Sequence, residues 1–151
     1  MSTGEWQEHE EPEIGARHLL LCREVIWNAH DAEAPYTLRG MLAAIQPTGE
    51  FPLVWDQPMS VFAQFFGAPG EYEVWVELVR LVFDESGEIH DEVEQATYGP
   101  FVIALEGTYF LRGRALFLRR VPFSAPGIYE FRLRAAGVFA PLASERLSVE
   151  G

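Results

Sequence analysis

The chain has 151 residues, of which 48% are apolar and 23% charged, and carries a net charge of −12. That is the length of one domain, with enough apolar content for a core that needs neither metal nor disulfide. A single cysteine excludes an intrachain disulfide and a C-x-x-C zinc motif. The acidic balance repels a phosphate backbone, so nucleic acid is not expected as a partner.

All 11 basic residues are arginine. Residues 1–111 hold four of them (17, 23, 39 and 80) against 20 acids, whereas residues 112–151 hold seven against three. The stretch 1–16 is polar and glutamate-rich and is expected to be a flexible acidic tail, leaving 17–151 as the domain. It lacks the basic start and apolar run of a signal peptide, and no apolar run reaches a membrane span. A cytoplasmic location with no membrane partner is the expectation.

The first expected strand is His18 to Trp27, whose near-continuous apolar run Leu19-Leu20-Leu21-Cys22 suits an element covered on both faces. Cys22 reads as a buried, inert thiol. His30-Asp31 follows as a loop dipeptide rather than a base with its orienting acid, because adjacent strand residues point to opposite faces. Tyr36 to Ile45 is ambiguous. Leu38, Met41, Leu42 and Ile45 fit a helical face, but Gly40 and Pro47 weaken a helix, and a strand with at most one helical turn is preferred. Phe51 and Trp55 lie in the next loop and are expected to plug one end of the core.

Met59 to Phe66 and Tyr72 to Phe83 read as strands joined by Gly67-Ala68-Pro69-Gly70. The loop Asp84 to Glu94 is acidic, yet the EF-hand positions that need glycine and glutamate hold Ile89 and Gln95. A solvated hairpin end is the reading. Further strands are expected at Tyr98 to Glu106, Arg112 to Val121, Ile128 to Ala135 and Leu142 to Val149.

One phrase occurs twice. Ala68-Pro69-Gly70-Glu71-Tyr72-Glu73-Val74-Trp75-Val76-Glu77-Leu78 returns about 57 residues later as Ala125-Pro126-Gly127-Ile128-Tyr129-Glu130-Phe131-Arg132-Leu133-Arg134. Pro-Gly supplies the turn, and the period-two pattern after it gives each strand a dry and a wet face. Outward Glu73, Trp75 and Glu77 align with Glu130, Arg132 and Arg134. Placed in opposite sheets, the copies would make one outer face acidic and the other basic, favouring oriented association.

Seven or eight strands with turn chemistry between them predict an all-β fold, an antiparallel β-sandwich of immunoglobulin-like or Greek-key type. No Gly-x-Ser-x-Gly elbow, Walker loop or dinucleotide fingerprint occurs, and the four histidines have no metal-ligand spacing. The segments 19–22, 38–42, Phe51-Pro52, 69–72 and 126–133 together resemble a group of small, uncharacterised bacterial β-sandwich domains over about residues 17–149. That resemblance implies a cytoplasmic sandwich without assigned activity or catalytic residues.

The function expected is a non-catalytic interaction or structural module, not an enzyme, with no cofactor. It would bind a protein partner or itself, with Trp75, Arg132 and Arg134 as the candidate surface. The alternative is a small-ligand or carbohydrate-binding domain using Trp55 or Trp75 as a platform.

Overall fold

The computed structural model describes residues 14–106 and 111–151, and among them every regular element is a strand. These are β1 (Ile14–Trp27), β2 (Tyr36–Met41), β3 (Ala44–Ile45), β4 (Leu53–Trp55), β5 (Met59–Gly67) and β6 (Gly70–Phe83). They continue with β7 (Ile89–Leu105), β8 (Arg112–Leu118), β9 (Val121–Phe123), β10 (Gly127–Ala135) and β11 (Ala143–Val149). A four-stranded sheet has the order β2-β1-β5-β8, a five-stranded sheet β3-β11-β10-β6-β7, and β4 and β9 form a two-stranded ribbon. The pairings are antiparallel except β11 with β3. The all-β expectation therefore holds.

One apolar cluster joins the two larger sheets. Leu19, Leu21, Val61, Phe65 and Leu116 come from the four-stranded sheet, while Val74, Val76, Phe131, Leu133 and Leu147 come from the five-stranded one. The ribbon contributes Val121 and Phe123, and Phe51 and Trp55 lie against the same cluster. Alternation explains most of this. On β10, Tyr129, Phe131, Leu133 and Ala135 are buried while Glu130, Arg132 and Arg134 face away.

The ambiguous segment is extended, as β2 and β3, with Gly40 taking a φ of 66°. Strand β1 begins at Ile14, three residues before the expected domain start. Ile14 is buried, and the Phe66 ring lies over Gly15, filling the space a side chain there would need. Trp6 and most of the expected tail lie outside the described residues. Much of the expected acidic loop is also strand, because β7 starts at Ile89; only Asp84–Glu88 turns. One carboxylate oxygen of Asp84 organises that turn by accepting from the backbone N–H groups of Ser86 and Glu88 and from the Ser86 hydroxyl.

The repeat has a definite structural meaning. In each copy the tyrosine hydroxyl donates to the alanine carbonyl four residues earlier: Tyr72 to Ala68 at 2.7 Å and Tyr129 to Ala125 at 2.5 Å. Both turn glycines, Gly70 and Gly127, sit at a φ of 151°, a conformation that side chains disfavour. The two copies do not occupy opposite sheets, however. Strands β6 and β10 are adjacent in one sheet, with Arg132 opposite Glu77 and Arg134 opposite Trp75. The expected split into an acidic and a basic copy is thereby corrected: opposite charges of the two copies meet across one ladder.

Candidate functional site

The charge of the strands is divided between the sheets. Strands of the four-stranded sheet carry Arg17, Arg23, Arg39, Arg112 and Arg114 against the single acid Glu24. Strands of the five-stranded sheet carry Arg80, Arg132, Arg134 and Arg146 against eight acids.

Pairing sharpens this division. On the five-stranded sheet Arg132 contacts Glu92 at 2.6 Å, Glu130 at 2.7 Å and Glu77 at 3.6 Å. Arg134 contacts Glu77 at 3.3 Å, and Arg146 contacts Glu130 at 3.2 Å. Hydrogen bonds from Arg132 hold the Glu92 carboxyl below its ordinary value of 4.5, and the same bonds raise the Arg132 guanidinium further above its own. Thus the sheet's own carboxylates engage these guanidinium groups. On the other side, Arg23 on β1, Arg112 on β8 and Arg119 and Arg120 between β8 and β9 form no ion pair among the described residues, and all four are exposed. The one pair on that side, Arg39 with Glu24 at 4.0 Å, is long and exposed.

Two of these arginines, Arg23 and Arg119, border a cleft of about 620 Å³ on the outer face of the four-stranded sheet. Arg23, Glu24, Pro58, Ser60, Phe117 and Arg119 line it. Register places Met41, Cys22, Ser60 and Phe117 in one row across β2, β1, β5 and β8. Phe117 is 65% exposed at the end of that row, although it belongs to a strand otherwise buried on alternate residues. Ser60 is only 1% exposed, and its hydroxyl has no hydrogen-bond partner among the described residues. The Arg23 stem lies on Gly40, where a side chain would approach it to 2.8 Å. Cys22 is fully buried, with its thiol directed at the Ser60 carbonyl 3.8 Å away, and burial raises its pKa. The inert-thiol reading fits this position.

Beyond this cleft, the β1–β2 hairpin crosses back over the same face. Its Tyr36 hydroxyl donates to the Gly113 carbonyl at 2.6 Å, and the Tyr36 ring stands between Trp27 and Phe62, 4.9 Å from each. That cover explains why β5 is apolar on both faces.

The residues singled out from sequence sit elsewhere. Trp75, Arg132 and Arg134 do share the outer face of the five-stranded sheet, but Trp75 is half-buried with its Cβ covering Gly99. Trp55 is half-buried against the core. Among the described residues the exposed rings are Trp27, Phe66, Phe83, Phe117 and Phe139, of which Phe139, Phe117 and Trp27 are the most exposed. Phe117 was hidden in sequence inside the apolar run Ala115-Leu116-Phe117-Leu118; strict alternation from buried Leu116 and Leu118 would have put it outside. His30 and Asp31 form no pair, since Asp31 instead accepts from the backbone N–H groups of Glu33 and Ala34. No group of three or more potential metal ligands occurs among the described residues, and no helix there is long and apolar enough to cross a membrane.

No protein-family model and no curated protein matches the chain. Among solved structures it is similar to the Pseudomonas fluorescens alkylpurine DNA glycosylase AlkC bound to DNA containing an abasic site analogue. The TM-score is 0.50 at 12% identity, and the match covers 92% of this chain and 31% of that one. The chain thus spans about a third of the length of the protein whose fold it shares. This finding corrects three expectations: a protein-interaction or self-associating module, the absence of enzymatic function, and the exclusion of nucleic acid. The fold occurs in an enzyme that holds DNA. Net charge sums over two sheets that are electrostatically different.

Proposed function

We propose that the chain is an immunoglobulin-like β-sandwich that contacts DNA through its four-stranded sheet, in the service of a DNA-processing enzyme. The observation that carries this reading is that Arg23 and Arg119 at the cleft, and Arg112 and Arg120 elsewhere on or beside the same sheet, have no carboxylate partner among the described residues. Unpaired guanidinium groups on a strand surface are donors for phosphate oxygens, while the acidic sheet turns away from the duplex. The two tyrosine hydroxyls bonded back to the turn carbonyls support the immunoglobulin-like assignment, because a tyrosine of that kind marks the corner of such sandwiches. The DNA-bound glycosylase of similar fold supports the choice of ligand.

Fluorescence anisotropy of a labelled 20-base-pair duplex tests the proposal. Four phosphate contacts give a log–log salt slope of about −3.6, and Arg119→Ala reduces its magnitude by about 1. Arg146→Ala, which removes the same charge from the other sheet, leaves the slope unchanged. Equal effects of the two substitutions, or no binding at low salt, would overturn the reading.

A further inference from the structure

We infer that the cleft between Phe117 and Arg23 receives an unpaired base, so that the preferred ligand at this site is single-stranded or locally opened DNA. The inference rests on the proposal that this sheet contacts DNA, and it concerns which form of DNA the sheet holds.

Three features of the cleft fit a nucleotide taken out of its stack. The first is a platform. Phe117 stands exposed at the outer end of the cross-strand row, and its in-register neighbour is Ser60. A flat ring beside a cleft accepts the π face of any base, whereas a base inside a duplex presents only its edge.

The second feature is an unspent polar group. The Ser60 hydroxyl is buried at the cleft wall with neither donor nor acceptor partner among the described residues. Buried hydroxyls are ordinarily satisfied, so an orphan at the wall of a cleft is suited to a ligand that brings a partner. Directly opposite residues on adjacent strands have Cβ atoms about 4.5–5.5 Å apart, which keeps Ser60 within reach of the edge of a base resting on Phe117. Serine can donate or accept, so it bonds a base edge of either polarity.

The third feature is charge at the rim. Arg23 and Arg119 flank the cleft and have no carboxylate partner among the described residues, so both can meet the phosphates on either side of an inserted nucleotide. The only acid at the rim, Glu24, has Arg39 4.0 Å away. A volume of about 620 Å³ holds one nucleotide and its phosphate. A carbohydrate would find the ring but no use for the two cations. A peptide carboxylate would use the cations but leave the ring bare.

The experiment compares a labelled 15-mer single strand with its duplex, using the wild-type chain and Phe117→Ala. Wild type is expected to bind the single strand more tightly. Phe117→Ala is expected to weaken single-strand binding roughly tenfold or more while leaving duplex binding within about twofold. Ser60→Ala, which removes a hydroxyl with no partner among the described residues, is expected to weaken single-strand binding at an unchanged Tm. Unaltered single-strand affinity in Phe117→Ala would overturn the inference while duplex binding leaves the proposed function standing. Absence of binding to either DNA would overturn both.

Discussion

The Tyr36 hydroxyl donates to the Gly113 carbonyl across 77 positions of sequence, and this bond ties the β1–β2 hairpin over the face of its own sheet. Gly113 is required there by space rather than by backbone angle. A Cβ at that position would stand 2.6 Å from the Tyr36 ring and 2.9 Å from the Phe62 ring. Gly113→Ala therefore pushes the hairpin off β8 and costs about 1–3 kcal/mol, the usual range for overpacking. Tyr36→Phe loses only the hydrogen bond, about 1 kcal/mol. Urea denaturation of both variants checks the order, with Gly113→Ala expected to be the less stable.

The two tyrosines of the repeat separate local from buried hydrogen bonding. Tyr129 is completely buried, and its hydroxyl both donates to the Ala125 carbonyl and accepts from the Ala125 N–H. Its removal leaves both backbone groups without that partner, so Tyr129→Phe costs about 1–3 kcal/mol. Tyr72 is half-buried, and Tyr72→Phe is expected to cost less, about 0.5–1.5 kcal/mol. Thermal unfolding of the two variants is the check; equal losses would contradict the assigned roles.

Arg132 is the hub of the five-stranded sheet, with a side chain only 11% exposed among three carboxylates. Arg132→Met leaves Glu77 with Arg134 and Glu130 with Arg146 as their remaining partners, both carboxylates largely sheltered from water. The cost is expected below that of a broken buried pair, about 2 kcal/mol, because Glu92 is solvated and the other two carboxylates each keep an arginine. The pH dependence follows from Glu92 and Asp84, whose carboxyls are held below their ordinary values of 4.5 and 3.8 by hydrogen bonds from Arg132 and from Ser86 respectively. A depressed carboxyl stabilises the fold above its unfolded pKa and loses that contribution as pH falls through the folded value. Stability is thus expected to decline below about pH 4.5, and Arg132→Met to flatten the Glu92 part of the decline. An unchanged acid limb in that variant would contradict the assignment.

Tyr98 behaves in the opposite sense. Its hydroxyl is buried without a partner among the described residues, and desolvation pushes its pKa up to about 12. The unfolded phenol ionises near 10 while the folded one keeps its proton, so stability falls between pH 10 and 12. Absorbance near 295 nm should show the Tyr98 phenol titrating late in the folded protein. Tyr98→Phe, which removes an unsatisfied group, is expected to be neutral or slightly stabilising in the same experiment and to abolish the late step.

The strands were legible because their signals are local. Alternation in Tyr129, Phe131 and Leu133 needs no partner to be read, and the Pro-Gly turns carry their own geometry. The repeat, too, was visible, but its placement was not. Sequence similarity gives no information on whether two strands share a sheet, and the ladder of Arg132 opposite Glu77 depends on that alone. The cleft was illegible for the same reason. Ser60 and Phe117 are 57 positions apart and meet only through the pairing of β5 with β8. Arg23 and Arg119 look like ordinary scattered charges in sequence, and only the pairing of β5 with β8 and the fold of β1 bring them to one cleft. Net charge was the strongest global signal and pointed away from DNA, because most acids lie on the five-stranded sheet, its turns and the N-terminal stretch.

Whether the four-stranded sheet meets DNA, as proposed, is the central question, and backbone amide chemical-shift mapping of the 17.1 kDa chain with a 15-mer single strand addresses it most directly. The account predicts that shifts concentrate at Arg23, Ser60, Phe117, Arg119 and their neighbours on β1, β5 and β8, with β6 and β10 unaffected. Shifts centred on Trp75, Arg132 and Arg134, or none at saturating DNA, would contradict it.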